Sequence, residues 1–223
     1  MTFTRTLVAA VVSAAAFAAP AHAGTIFQDS FEAPNVSSWQ VFQVGVGDSG
    51  SWFADLGAGI EIQDESIGLT SAYDGSQYVE LDSDNSNGGV AGDTNSGMIT
   101  LIPFVAGNTY EISFAYKPRT NSAGDNIIQL FALGYDGVSV FADTFLTEVN
   151  ETTSTLSDWL LVSVLYTAQA GYNAIGFLAA GNDNSLGGFI DLVTVNEVPV
   201  PAALPLFLAG LAGFSFASRK QRA

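Results

Sequence analysis

Short apolar runs alternate with clusters of turn-forming residues from position 77 to position 195, and this rhythm constrains the fold more than any other feature. The runs occupy 77–81, 98–104, 109–116, 126–133, 159–167, 172–179 and 188–195. Between them lie Asp74-Gly75, Ala106-Gly107-Asn108, the 121–125 segment, Asp136-Gly137 and the 181–188 segment, all rich in residues that reverse the chain. Runs this short suit strands better than helices. The clearest is 109–116, where Tyr110, Ile112, Phe114 and Tyr116 fall on one face and Glu111, Ser113 and Ala115 on the other. Between residues 24 and 197 no stretch shows the 3.6-residue period of an amphipathic helix. The pattern predicts an all-β domain, an antiparallel jelly-roll β-sandwich, with its plentiful Phe, Trp and Tyr filling the core. No internal repeat is present, and about 175 residues suffice for one sizeable core.

Composition then removes whole classes of chemistry. There is no cysteine, and the one histidine is His22, so residues 24–197 contain neither. A Ser-His-Asp triad, a Cys-His pair and a zinc site of the usual ligands are excluded there. Without disulfides, stability must come from the core and from any bound ion. All 22 acidic residues fall between Asp29 and Glu197, where the only bases are Lys117 and Arg119. Such a surface cannot neutralise phosphates, so nucleic acid is excluded as a partner. Divalent cations or a salty exterior fit it better.

The two ends carry transport features. Arg5 precedes an apolar run at 7–19, and Ala21-His22-Ala23 follows as a small-x-small cleavage site, which predicts a secretory signal peptide over 1–23 cut before Gly24. At the other end, 198–223 joins three pieces. Val198-Pro199-Val200-Pro201 is a break that no helix or sheet runs through. An uncharged stretch of about 16 residues follows, roughly 24 Å as a helix and short for a span. Arg219, Lys220 and Arg222 close the chain, placed to stay cytoplasmic by the positive-inside rule. The 198–223 tail resembles the PEP-CTERM family of bacterial sorting signals, in a variant with Val-Pro-Val-Pro where the commonest form has Val-Pro-Glu-Pro. The resemblance implies export, tethering to the inner membrane through the C-terminal helix, processing by an exosortase at Val198, Pro199 and Pro201, and delivery to the cell surface or extracellular matrix.

The body carries a second resemblance. Asp29-Ser30-Phe31-Glu32, the run Asp74-Gly75-Ser76-Gln77-Tyr78-Val79-Glu80-Leu81-Asp82-Ser83, the segment 106–116 and Gly187-Gly188-Phe189-Ile190-Asp191-Leu192-Val193 occur in the order seen in galactose-binding-like, DUF642-type modules. The group resembles these carbohydrate-binding jelly rolls over 29–195, the central part of a domain spanning 24–197. It implies an opening strand at Asp29–Glu32, and a structural calcium near the first and last strands with Glu32 and Asp191 as ligands. The alternative is that Glu32 caps a turn and Asp191 bonds backbone at a strand edge.

Other candidates come from the residues themselves. The loop 82–93 superficially resembles an EF-hand, with Asp82 and Asp84 as calcium ligands, but Ser86, Asn87 and Asp93 stand at its fifth, sixth and twelfth places; a solvated turn-rich loop is the alternative. Sugar binding asks for exposed aromatic rings beside polar anchors. Trp52, Tyr73 and Tyr135 lie in turn-rich surroundings and are candidate stacking rings, whereas Trp39 and Trp159 begin apolar runs and are expected in the core. Arg119 either anchors an acidic sugar or pairs with a carboxylate. These observations lead to an exported, non-catalytic sandwich that binds or organises extracellular polysaccharide, with calcium as a stabilising ion. The alternatives are a structural matrix protein acting through calcium-bridged or protein–protein contacts, and a glycoside hydrolase built on two of the many carboxylates.

Overall fold

The structure is a computed structural model and describes residues 24–199. The expected signal peptide, and Pro201, Arg219, Lys220 and Arg222 of the tail, lie outside the described residues. Thirteen strands follow in order: β1 Gly24–Asp29, β2 Trp39–Phe42, β3 Val44–Val46, β4 Trp52–Leu56, β5 Ile60–Asp64, β6 Gln77–Glu80, β7 Gly97–Leu101, β8 Thr109–Lys117, β9 Ile128–Tyr135, β10 Val140–Val149, β11 Leu160–Thr167, β12 Ala174–Ala179 and β13 Phe189–Val198. They form two antiparallel sheets. The first runs β11-β8-β13-β6-β5-β2 with β1 also on β13; the second runs β10-β9-β12-β7-β4-β3. The chain is thus an antiparallel β-sandwich of jelly-roll type. Among the described residues, no helix is long and apolar enough to cross a membrane.

Each sheet turns one set of alternate residues inward. In β8 these are Tyr110, Ile112, Phe114 and Tyr116, as the alternation predicts; they meet Ile62 and Val79 of their own sheet and Trp52, Met98, Leu130 and Phe177 of the other in one core. Burying each such side chain contributes about 1.5–3 kcal/mol. All seven predicted runs become strands; β2–β5 and β10 lie outside them. β10 lies at a sheet edge, one set of alternate residues exposed and the other only partly buried, and its exposed set includes Phe141 and Phe145, so its alternation of polarity is weak. The last strand includes Val198, paired with Thr109; Pro199, next, has no N–H to extend the ladder.

The opening strand differs from the expectation. β1 ends at Asp29, and Ser30–Glu32 leave the sheet. Phe31 sits in the left-handed region (φ 59°), where the core holds its ring, while Asp29 Oδ1 accepts the Phe31 N–H (2.9 Å) and the Asp48 N–H (3.0 Å). Burial pushes the Asp29 carboxyl up to about 6, against those two N–H bonds.

β13 changes neighbours along its length. Phe189 and Ile190 pair with β6, whereas Val193–Glu197 pair with β1. The switch falls at a bulge between Asp191 and Thr194, with Leu192 at φ 41°. There Asp191 accepts the N–H groups of Tyr73 (2.7 Å), Asp74 (2.9 Å) and Leu192 (2.6 Å). From the other side Glu32 accepts those of Ser76 and Gln77 (both 2.8 Å) and the Ser76 hydroxyl (2.9 Å). Two carboxylates therefore clamp one turn. Gly75 at its tip (φ 72°) admits no Cβ, which would lie 2.3 Å from Glu32 Oε1.

Candidate functional site

The outward set of the first sheet builds the site. Strand register aligns Trp39, Gln63 and Tyr78 in one row across β2, β5 and β6. The next row holds Val41, Glu61, Glu80, Phe189 and Lys117. Period-two alternation keeps both rows on the outer face while Ile60, Ile62, Val79 and Ile190 point into the core. Over the rows lies a cleft of about 420 Å³, with Trp39, Ser38, Ile67 and Leu69 on its walls, Gln63 and Glu61 on its floor and Asp84, Arg119 and Ser185 at its rim.

The floor is a linked polar network. Gln63 Nε2 donates to Glu61 Oε1 (2.7 Å) and to Glu80 Oε2 (2.5 Å). Arg119 Nη1 donates to both Glu80 oxygens (2.7 and 2.5 Å) and to the Ser185 carbonyl (3.0 Å). The Gly187 N–H adds a further donor to Glu80 Oε1 (2.6 Å), and the Asp84 N–H binds Glu61 Oε2 (2.8 Å). Burial pushes the Glu80 carboxyl up, and the Arg119 guanidinium draws it back. Both its oxygens receive N–H donors and neither faces an acceptor, which is the pattern of a carboxylate. Glu61 is raised chiefly by burial. Asn126 positions the guanidinium, since its side-chain oxygen accepts the N–H groups of Arg119 (2.8 Å) and Thr120 (3.0 Å).

Two buried atoms in this network lack partners. Gln63 is 2% exposed and lines the cleft, and its Oε1 accepts nothing. The Tyr78 hydroxyl, fully buried amid the charges of Glu80, Arg119, Asp64 and Glu61, also has none. An unpaired buried polar atom is unfavourable by about 1–3 kcal/mol, so such atoms ask for a ligand or water. From the opposite edge of the sheet Trp159 covers Tyr78 (ring centroids 6.0 Å apart), with its indole N–H on the Ser71 carbonyl (2.9 Å) and Tyr73 against its other side (6.2 Å).

The tryptophans reverse their expected roles. Trp52 is fully buried among Phe27, Phe31 and Phe177 at 5.7–6.0 Å and cannot stack on a ligand. Its inward place in β4, invisible while that strand is unrecognised, decides this. Trp39 and Trp159, expected in the core, are half-exposed on the outer face. Tyr73 remains exposed beside Trp159. Tyr135 lies on the other sheet, packed against Phe53 at 5.2 Å, away from the cleft. Arg119 is in the site, paired with a carboxylate. Glu61, Gln63, Tyr78 and Glu80 were not singled out. The alternation Ile60-Glu61-Ile62-Gln63 held a signal, a strand with a polar outward face, but its alignment with β6 is a property of register.

The four expected calcium ligands all serve protein donors. Glu32 and Asp191 clamp the 73–77 turn. Asp82 accepts from the Leu186 N–H (2.8 Å) and the Thr94 hydroxyl, and Asp84 from the Ser86 N–H (2.7 Å) in a local turn. N–H groups present positive dipole ends, and a cation needs a shell of oxygens in their place; as arranged, these carboxylates do not fit calcium. Among the described residues no group of three or more acidic, His or Cys side chains is disposed to hold a metal. The 82–93 loop instead covers the edge of β2: Asn87 accepts the Val41 N–H at its carbonyl (3.1 Å), and its side chain donates to the Trp39 carbonyl.

No family model matches the sequence, and no curated protein does. Solved structures share the fold. The CBM22-1 xylan-binding domain of Paenibacillus barcinonensis Xyn10C is 16% identical over 82% of this chain and 99% of its own, with a TM-score of 0.49. The CBM22-1–CBM22-2 tandem of the same protein is also 16% identical, over 80% of this chain and 46% of the tandem, at 0.50. The Stig cyclase Fisc of Fischerella sp. TAU, solved with a pyrrolidinylidene-indole, is 13% identical over 80% of this chain and all of its own, at 0.51. One sandwich thus carries different functions, and the site must decide between them.

Proposed function

We propose that this protein is a non-catalytic polysaccharide-binding protein and that its ligand lies in the outer cleft of the first sheet. The observation that carries the reading is the cleft itself: a half-exposed indole, Trp39, beside a floor whose Gln63 Oε1 has no partner. Indole faces stack on the apolar faces of sugar rings, and a few fixed polar groups take the hydroxyls. Aliphatic Ile67 and Leu69 complete the apolar wall. On the cleft floor neither Glu61 nor Glu80 stands free to act on a bond, since Glu80 is tied to Arg119 and both hold Gln63. The protein is exported, tethered at its C-terminus and sorted to the surface by an exosortase-type enzyme; these statements rest on the resemblance of the tail, and the intact mass of the protein from its native host tests them.

Affinity electrophoresis of the purified protein through gels containing soluble polysaccharides tests the binding. Retardation is expected with at least one glycan, weakened roughly tenfold or more by Trp39→Ala and by Gln63→Ala, losses of about 1.4 kcal/mol each. Absence of retardation by every glycan, or retardation indifferent to both substitutions, overturns the reading.

A further inference from the structure

The charge balance of the cleft bears on which sugars it accepts. Of the domain's two bases, Lys117 is spent elsewhere, with its ammonium on Thr70 Oγ1 (2.8 Å) and the Ser157 carbonyl (3.3 Å). Arg119 is therefore the one cation at the cleft among the described residues, and it does not reach the ligand space as a free charge. Its Nη1 bridges both oxygens of Glu80, a residue with no exposed surface. What a ligand meets beyond that neutralised pair is acidic: Glu61 on the floor and Asp84 at the rim. In a partly desolvated cleft like charges repel more strongly than in open water.

Hydrogen-bonding capacity points the same way. The Gln63 amide cannot turn over, because that would set Oε1 against Glu61 and Glu80, to which Nε2 now donates. Its free oxygen therefore demands a donor. Glu61 and Asp84 accept only. Sugar hydroxyls donate, whereas a uronate carboxylate only accepts and meets a guanidinium whose charge Glu80 already cancels.

We infer that the cleft takes uncharged sugar chains and turns away uronate-bearing ones, and that Glu80 sets this preference by neutralising Arg119. This rests on the polysaccharide-binding reading above. Glu80 acts through Arg119 and is a positioning residue.

The test compares glucomannan in its native form and after oxidation of its C6 hydroxymethyl groups to carboxylates, and xylan with and without glucuronate branches. The protein is expected to bind a neutral form at least about tenfold more tightly than its uronate counterpart, and added salt to narrow that gap by screening the repulsion. Glu80→Gln, which frees the guanidinium, lowers the neutral-to-uronate affinity ratio by roughly tenfold. Because that substitution lies in the interior, Asp84→Asn at the half-exposed rim provides a second variant and lowers the ratio in the same direction, by less. Comparable affinity of the unmodified protein for both forms overturns the inference and leaves the polysaccharide reading standing. A ratio unmoved by both substitutions also overturns it. Binding to none of the four polymers counts against the reading and the inference together.

Discussion

The outer faces of the two sheets share a backbone plan and differ in almost every outward side chain. On the first, Trp39, Gln63, Tyr78, Glu61, Glu80 and Lys117 stand in adjacent rows, bound into networks by loops that fold over them. On the second, Ile99, Leu133, Phe131, Val140 and Leu178 surround Gly97 and Gly176 in a shallow apolar groove, with only Asp55 and Asp143 beside it. That groove offers a sugar little to bond. The contrast locates specificity in the outward set of a pleat whose inward set makes the fold, and the two sets can change independently.

Several substitutions break or sharpen this contrast. The largest effect is expected from Arg119→Ala, which strands Glu80 as a buried, unpaired charge and costs about 3–5 kcal/mol in chemical denaturation. Replacing Arg119 and Glu80 together by Leu restores most of that stability while leaving the cleft without its charged pair; a double variant as unstable as Arg119→Ala would place the stabilisation elsewhere. Next comes pH. Burial raises Asp29 to about 6 and Asp191 to about 7, above the value of roughly 3.9 in an unfolded chain. The fold thus favours their protonated forms, so their contribution is complete below about pH 4 and is lost as pH rises through 6 and 7. The melting temperature is expected to fall by on the order of 5 °C between pH 5 and 8, and Asp29→Asn with Asp191→Asn to flatten the profile. A rise over that interval would contradict the assignment.

Smaller effects belong to the apolar face and to calcium. Phe145, 53% exposed against Phe131, should accept Lys with a stability change within about 0.5 kcal/mol and no change in glycan retardation; lost retardation would move the binding site to the second sheet. Millimolar calcium should leave the melting temperature unchanged, because Glu32, Asp191, Asp82 and Asp84 already serve N–H and O–H donors. A calcium-dependent increase would mean that those carboxylates exchange their donors for the ion.

Much of the fold was legible along the chain because alternation and turn chemistry are local. Seven runs became seven strands, and Gly75, Gly107, Gly124 and Gly137, all in the predicted turns, adopt positive φ. The site was less legible for a definite reason. Its members come from β2, β5, β6 and from segments around 67–69, 82–93, 118–126 and 181–188, and nothing within any one segment says that Gln63 will lie beside both Tyr78 and Trp39. Tryptophan placement failed in the same way: a residue two positions from Gly50 reads as exposed until β4 is known to cover the core with it. Arg119 was recognisable because bases are so rare here; of the two roles open to it, acidic-sugar anchor or partner of a carboxylate, the structure shows the pairing, with Glu80.

That rarity has a practical side where proteases are concerned. Between residues 24 and 199 a protease that cuts after lysine or arginine has two places to act. Lys117 is followed by Pro118, a poor bond for such enzymes, and its side chain is 8% exposed. The bond after Arg119 is held shut, because Asn126 grips the backbone on both sides of it and Glu80 grips the side chain. The contacts that aim the guanidinium into the cleft thus also guard the sandwich against digestion by trypsin-like enzymes.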